Sequence, residues 1–186
     1  MTTLTVFTPT YNRAHLLPRL YDSLCRQTVR DFCWLVVDDG SVDDTRALVL
    51  KWVGEGVIPI EYIYKSNGGM HTAHNAAYAR IETPLNVCID SDDAMPPRAV
   101  ESIVRHWRAV EGDPNLAGML GLDVDMRGEV IGGRFPRDGL RATLGEVYGK
   151  YRVKGDKKIV LQTRVVRSFP PYPEYAGERL VPLGSL

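Results

Sequence analysis

Apolar and polar positions along the first half of the chain alternate between two periods, and the alternation predicts a strand–helix repeat. Leu4-Thr5-Val6-Phe7 reads as a short strand, followed by the polar loop Thr8-Pro9-Thr10-Tyr11-Asn12-Arg13. Leu16, Leu17, Leu20 and Leu24 then recur at helical spacing and mark one buried face. Phe32 to Val37 is a near-continuous apolar run, the pattern of a strand covered on both faces, and it stops at Asp38-Asp39-Gly40. Ser41 with Asp44 predicts a helix start, which Leu48, Val49 and Trp52 continue until Gly54 and Gly56 end it.

Ile58 to Tyr64 predicts the third strand, with Lys65-Ser66-Asn67-Gly68-Gly69 as its loop. His71 to Arg80 is Ala-rich and helical, and Leu85 to Ile89 is the fourth strand. Beyond Pro96-Pro97, Val100, Ile103, Val104, Trp107 and Val110 line one side of an amphipathic helix. Such a repeat builds a mostly parallel, Rossmann-like α/β sheet flanked by helices. Ligands of open α/β sheets bind beyond the carboxyl ends of the strands. Three loops at that edge hold the notable polar residues: Thr8 to Arg13, Asp38 to Ser41, and Asp90 to Asp93.

After residue 112 the pattern changes. Leu120 to Met126 and Glu129 to Gly133 predict a hairpin around Arg127-Gly128. Thr143 is placed to cap a short helix through Tyr148, Lys158 to Leu161 reads as a strand, and Pro170-Pro171-Tyr172-Pro173 as an irregular loop. Residues 1–186 are expected to form one domain, with a C-terminal subdomain over 113–186 appended to the half at 1–112.

Composition narrows this picture. A chain of 186 residues with 44% hydrophobic content supports one sizeable core. Lys+Arg and Asp+Glu both number 23, which gives no general reason to expect nucleic acid as a partner. From Arg127 to Arg167 basic residues outnumber acidic ones, Arg134, Arg137, Arg141, Lys150, Arg152, Lys154, Lys157 and Lys158 among them. That stretch is either a solvated face or a surface toward anionic acceptors or a membrane, a peripheral contact at most. Cys25, Cys33 and Cys88 are odd in number and lie in apolar segments, which points to reduced thiols and a cytoplasmic setting. No apolar run is long enough to cross a bilayer, and no signal-peptide pattern opens the chain.

The densest chemistry is Val87-Cys88-Ile89-Asp90-Ser91-Asp92-Asp93, an apolar run ending in three carboxylates around one serine. Carboxylates this close repel one another. A hard divalent cation such as Mn²⁺ or Mg²⁺ relieves the repulsion, and such ions share carboxylate oxygens with substrate phosphates. A solvated Asp-rich turn before a helix is the alternative.

Thr8 to Arg13, then Val36-Val37-Asp38-Asp39-Gly40-Ser41 with Asp43-Asp44-Thr45, then Asn67-Gly68-Gly69 with Asn75, then Asp90-Ser91-Asp92-Asp93 occur in that order. Together they resemble the inverting glycosyltransferases of family 2, which have the GT-A fold. The likeness covers the first half closely and the rest more loosely. It implies transfer of a sugar from a nucleotide-sugar donor, usually a UDP-sugar, to a hydroxyl of a saccharide or lipid-linked acceptor, as in cell-surface polysaccharide or glycoconjugate synthesis. Expelling a nucleoside diphosphate builds charge on phosphate oxygens, which a cation at the site would meet.

By that resemblance Asp92 is the direct metal ligand, Asp90 holds the ribose or a metal-bound water beside Ser91, and Asp93 completes the electrostatic surroundings. Thr8, Thr10, Tyr11, Asn12 and Arg13 would cradle the nucleotide, with the Tyr11 ring stacked on the base. An ordinary connection with Asn12 capping the helix is the alternative. Asp39 would accept from the base or ribose, and Asp38 would hold the turn. Lys65, Gly68, Gly69 and Asn75 would form the third side of the nucleotide site, where glycines allow close backbone approach and a helix start attracts anions. Relatives often carry a basic residue where this chain has Met70. His71 and His74 lack further ligands at zinc spacing, so helix capping or substrate contact is expected of them.

An inverting transfer needs a carboxylate to take the acceptor proton. Pro173 to Leu183 resembles the region that supplies it. Glu178 is the expected base and Glu174 the second candidate, while Leu183 stands where relatives often have another acid, and the chain stops at Leu186, short of its relatives. A nucleotide-sugar-binding module without turnover is the competing reading. A nucleotidyltransferase would need a Gly-rich basic loop after the first strand, and a dinucleotide oxidoreductase a G-x-G-x-x-G there; neither is present.

Overall fold

The computed structural model describes residues 2–125, 127–175 and 177–179. One six-stranded sheet organises the chain, in the order β3-β2-β1-β4-β6-β5. Strands β1 (Leu4–Thr10), β2 (Phe32–Asp38), β3 (Ile60–Tyr64) and β4 (Leu85–Cys88) run parallel, while β6 (Lys157–Gln162) lies antiparallel to both β4 and β5 (Gly118–Leu122). Helices α1 (Leu17–Cys25), α2 (Thr45–Glu55), α3 (Met70–Arg80) and α4 (Ala99–Arg108) connect the parallel strands or follow them, and a short α5 (Thr163–Val166) follows β6.

Successive strand residues face opposite sides of a sheet, and that period assigns the two cores. Leu4, Val6, Phe32, Trp34, Val36, Leu85 and Val87 meet Leu17, Leu20 and Leu24 of α1, Val49 and Trp52 of α2, and Val100, Val104 and Trp107 of α4. On the other side Phe7, Leu35 and Val37 meet Ala73 and Ala77 of α3, with Ile81 just beyond it. Both faces of β1 and β2 are covered, which is why β2 reads as unbroken apolar sequence. Tyr21 stacks on Trp52 at 4.2 Å between ring centres, filling the space between α1 and α2. Gly56, with φ of 64°, ends α2 in the left-handed conformation that glycine adopts without strain.

The second half differs from its expected layout. Its strands extend the same sheet: β6 pairs with β4 and β5 pairs with β6. The hairpin around Arg127-Gly128 is short: Val124 bridges Val130, the Asp125 amide donates to the Glu129 carbonyl at 2.8 Å and the Ile131 amide to the Asp123 carbonyl at 2.9 Å, while Gly118 to Leu122 pair with β6 instead. Thr143 does cap the following turn, exchanging bonds with Glu146, but the turn is a π-helix over Glu146–Lys150. Ser41 does not start α2. The helix begins at Thr45, and the Ser41 hydroxyl is used elsewhere, as described below.

Among the described residues no helix is long and apolar enough to cross a membrane. The three cysteines are free thiols. Lys157, at the start of β6, is buried, and its ammonium is shared among the carbonyls of Ile131, Lys154, Gly155 and Asp156 at 2.9–3.4 Å. It ties the loops flanking β6 to that strand. Lys157→Met would strand those carbonyls, and unsatisfied buried polar groups cost about 1–3 kcal/mol. Urea denaturation is expected to show a loss of that size.

Candidate active site

Strand order reverses at β1, which has β2 on one side and β4 on the other. A crevice opens at such a reversal because the two connections leave in opposite directions. The loops after β1, β2, β3 and β4 all emerge at this edge. Since β6 runs antiparallel, its first residues arrive there too, and so does Asp123 just beyond β5.

The loops after β1 and β2 brace each other. The Asn12 amide donates to the Ser41 hydroxyl at 2.8 Å, and the Asn12 side-chain oxygen accepts from the Val42 amide at 2.8 Å. Asn12 has φ of 53°, a conformation Asn tolerates better than most residues. Its side-chain oxygen therefore does not cap α1; it secures the neighbouring loop. Asp38 is fully buried and holds the turn as expected, accepting from the Ser41 amide at 2.7 Å and the Tyr62 hydroxyl at 2.5 Å.

Asp39 plays the same part for the loop after β3. Its carboxylate accepts from the Lys65 ammonium at 2.6 Å, the Gly68 amide at 3.0 Å and the Gly69 amide at 2.7 Å. Lys65 also donates to the Ser66 carbonyl and the Thr72 hydroxyl, both at 2.7 Å, so its three protons are all engaged. The glycine amides expected to meet anionic ligand thus hold a carboxylate of the protein itself. Asp39 keeps limited acceptor capacity for anything else.

The Thr8 side chain turns away from the expected nucleotide edge. The residue shares the parity of Leu4 and Val6, so its side chain enters the core, where its hydroxyl accepts from the Trp34 indole at 3.0 Å. Thr10 has the same parity and is also buried; its hydroxyl has no partner among the described residues. Asn75, expected in the nucleotide site, is a clamp. It donates to the Tyr172 carbonyl and the Glu174 carboxylate and accepts from the Tyr172 amide, all at 2.8–2.9 Å. The clamp draws a C-terminal strap onto the middle of α3. Farther along this strap the Arg179 carbonyl lies so close to Gly69, which has φ of 96°, that a side chain at Gly69 would collide with it. Glu178 is exposed on this strap. Leu183 lies outside the described residues.

Residues with exposed, available side chains collect at the crevice. Tyr11 is 45% exposed, as a ring that stacks on a base must be. Arg13 reaches across from the β1 loop, donating to the Ser91 hydroxyl at 3.2 Å and standing 3.5 Å from the Asp92 carboxylate. Asp90 and Asp92 are exposed, and among the described residues the Asp90 carboxylate has no hydrogen-bond or ion-pair partner, its backbone carbonyl alone accepting from the Asp93 amide at 3.0 Å. Asp93 is different: it accepts from the Lys158 ammonium of β6 at 2.8 Å. Burial works against the charge on Lys158, yet Asp93, Asp123 and Asp90 together hold its pKa above the ordinary lysine value. Burial pushes the Cys88 thiol up to about 12, and the Asp90 carboxylate adds to it, so this cysteine is no nucleophile.

No cluster of three acidic, His or Cys groups poised for a metal exists among the described residues. Asp90 and Asp92 nonetheless fit a hard cation, because Mg²⁺-type ions use one or two carboxylates and complete their shell with substrate phosphates and water. His71 and His74 are both buried. Among the described residues His71 has no partner on either ring nitrogen, whereas His74 donates through Nδ1 to the Met70 carbonyl at 3.0 Å.

Sequence reasoning missed Lys158, Asp123 and the Asn75–Tyr172 clamp. Lys158 lies 65 residues from Asp93, and a lysine at a strand start carries no motif that would join them.

A model of glycosyl transferase family 2 matches residues 5–114. The chain is 33% identical over 104 residues to the chondroitin synthase of Pasteurella multocida, covering 56% of this chain and 11% of that protein. It resembles the mannosyltransferase PcManGT of Pyrobaculum calidifontis in complex with GDP-Man and Mn²⁺, with a TM-score of 0.57 and 25% identity over 65% of this chain and 35% of the other. S. aureus TarS in complex with UDP-GlcNAc gives a TM-score of 0.54 at 26% identity, over 57% and 31% of the two chains. In complex with UDP alone it matches 89% of this chain and 48% of its own at 21% identity, with a TM-score of 0.69. The chain thus spans half or less of each of these proteins.

Two outcomes follow from the geometry. Thr8→Val leaves the buried Trp34 indole unpaired, so it is expected to cost about 1–3 kcal/mol in urea denaturation while leaving nucleotide affinity unchanged. Burial lowers the pKa of His74 from 6.5, against the opposing pull of the Met70 carbonyl and Asp90. Below pH 6.5 the unfolded chain therefore binds more protons than the folded one, and stability falls as the solution is acidified. His74→Gln should show a shallower loss of melting temperature than the parent between about pH 7 and pH 5, where an unperturbed histidine titrates.

Proposed function

Because the chain belongs to glycosyl transferase family 2, we propose that it moves a sugar from a nucleotide-diphosphate sugar, a UDP-sugar in the first instance, to an acceptor hydroxyl with inversion at the anomeric carbon. The sheet order and its crevice are of GT-A type, as in TarS. The single observation that carries the reading is the meeting, at the β1–β4 reversal, of an exposed Tyr11 ring, the Arg13 guanidinium and the exposed Asp90 and Asp92 carboxylates, the second of them loosely paired with Arg13.

In this proposal Tyr11 stacks on the base, and the backbone of the Thr10–Arg13 loop, braced by Ser41, lines the ribose. Asp39 sets the shape of the pocket by fixing Lys65, Gly68 and Gly69, and offers its remaining acceptor capacity to the base. Asp90 and Asp92 would hold Mn²⁺ or Mg²⁺, which when bound neutralises the charge that grows on the departing diphosphate. Arg13 is close enough to Asp92 to swing onto a phosphate oxygen when the ion takes up that carboxylate.

Glu178 is the proposed base. It sits one residue from Arg179, whose backbone packs on Gly69 at the start of α3. Glu174, gripped by Asn75, holds the strap in place and is the alternative base. The acceptor is a saccharide or lipid-linked hydroxyl, in polysaccharide or glycoconjugate assembly; the likeness to a chondroitin synthase favours that setting.

A thermal-shift screen of UDP, GDP and their sugars with Mn²⁺ tests the donor class, since a ligand that binds only the folded state raises the melting temperature. UDP-sugars with Mn²⁺ are expected to give the largest rise, and Asp92→Ala to abolish the Mn²⁺-dependent part without lowering the melting temperature of the free protein. Glu178→Gln should reduce transfer by about 10²–10⁴-fold, the usual contribution of a general base, with UDP affinity unchanged. If Glu174→Gln alone gives that loss, the base is Glu174. Tight UDP binding with no transfer across an acceptor panel would leave a binding module in place of the enzyme.

A further inference from the structure

Lys158 is a cation that the strand order carries into the acidic edge. Strand β6 pairs antiparallel with β4 through Val160 opposite Val87, so its first residues lie at the carboxyl end of β4, where Asp90 to Asp93 follow. The ammonium bonds Asp93 at 2.8 Å, with side chains 31% and 44% exposed. Asp123, which follows β5 at the same edge, and Asp90 also bear on it. Arg13 makes a looser contact with Asp92, at 3.5 Å between more exposed groups. Such a pair is weak in water and readily opened. The two cations therefore differ in kind: Arg13 is exchangeable, and Lys158 is fixed by its strand.

We infer that Lys158 is a positioning residue for the proposed ion site: it neutralises Asp93 and leaves Asp90 and Asp92 as the pair that meets a divalent cation, so that the ion binds together with the nucleotide diphosphate and not ahead of it. The inference rests on the metal-assisted reading above and adds the order of binding to it. Without the ammonium, Asp93 would add a third negative charge within four residues of Asp90 and Asp92, and the stronger field would draw a divalent cation to that edge before any nucleotide arrives. With one of them held by Lys158, two remain, a set that binds Mg²⁺-type ions well only when phosphate oxygens complete the shell. The coupling is reciprocal, so UDP must tighten Mn²⁺ binding by the same factor by which Mn²⁺ tightens UDP.

Isothermal titration with Mn²⁺ alone, UDP alone and Mn²⁺ in the presence of UDP reads this directly, without turnover. The parent protein is expected to bind Mn²⁺ weakly alone and much more tightly with UDP. Lys158→Met should bind Mn²⁺ alone about tenfold tighter or more, the scale on which neighbours of ligands alter metal affinity, and should lose a matching part of the UDP coupling. Lys158→Arg should restore the parent values. A folded Lys158→Met protein with parental Mn²⁺ affinity and coupling would overturn the role of Lys158 alone. A parent protein with no Mn²⁺–UDP coupling would overturn the ion site as well. Should Lys158→Met fail to fold, Asp93→Asn gives the answer: releasing the ammonium toward Asp90 should weaken Mn²⁺ binding and tighten metal-free UDP binding, and no change in either would refute the inference.

Discussion

The carboxyl ends of β1 and β4 stand side by side at the point from which the chain departs in opposite directions, from β1 to β2 on one side and from β4 to β5 on the other, with β6 later filling the place between β4 and β5. Every feature of the candidate site follows from that adjacency. It brings the Arg13 loop to within reach of Ser91 and Asp92, although 78 residues separate Arg13 from Ser91. A reversal of this kind is where open α/β sheets offer a crevice to ligands.

Polar residues at this edge divide into those that build the walls and those that face the gap. Asn12, Asp38, Asp39 and Lys65 are polar, close to the ligand edge and nearly all committed to the protein itself. They pay an ordering cost once, in folding, so that loops which would otherwise be mobile are already in place. Tyr11, Asp90 and Asp92 are left exposed and Arg13 half-buried, with side chains that the walls do not consume. A charged residue near a site is thus informative only after its partners are counted.

The far side of the site comes from the second half of the chain. Strand β6 supplies Lys158, and the strap from Tyr172 is drawn onto α3 by Asn75 and packed against Gly69. Gly69 lacks a side chain where the Arg179 carbonyl approaches, which accounts for a glycine at the start of a helix that Ser, Thr or Asp would cap more firmly. The two halves are therefore one packed unit: the strands of the second half complete the sheet whose edge they help to furnish.

The order of strands and helices in the first half was legible in the sequence because periodicity is a local property: Leu17, Leu20 and Leu24 must share a face, and Phe32 to Val37 must be covered on two. The acidic turn after β4 and the aromatic residue after β1 were legible for the same reason. What the sequence did not disclose was partnership. Thr8 belongs to the loop expected to cradle the nucleotide, yet its parity in β1 turns its hydroxyl to Trp34; Asn75, expected at the same site, grips Tyr172; and Lys158 carried no sign that Asp93 would be its counterion. Local spacing determines which face a residue takes. Only the pairing of distant strands decides which charge or hydrogen-bond group waits on that face, because hydrogen bonds and ion pairs act over a few ångströms of space and take no account of separation along the chain.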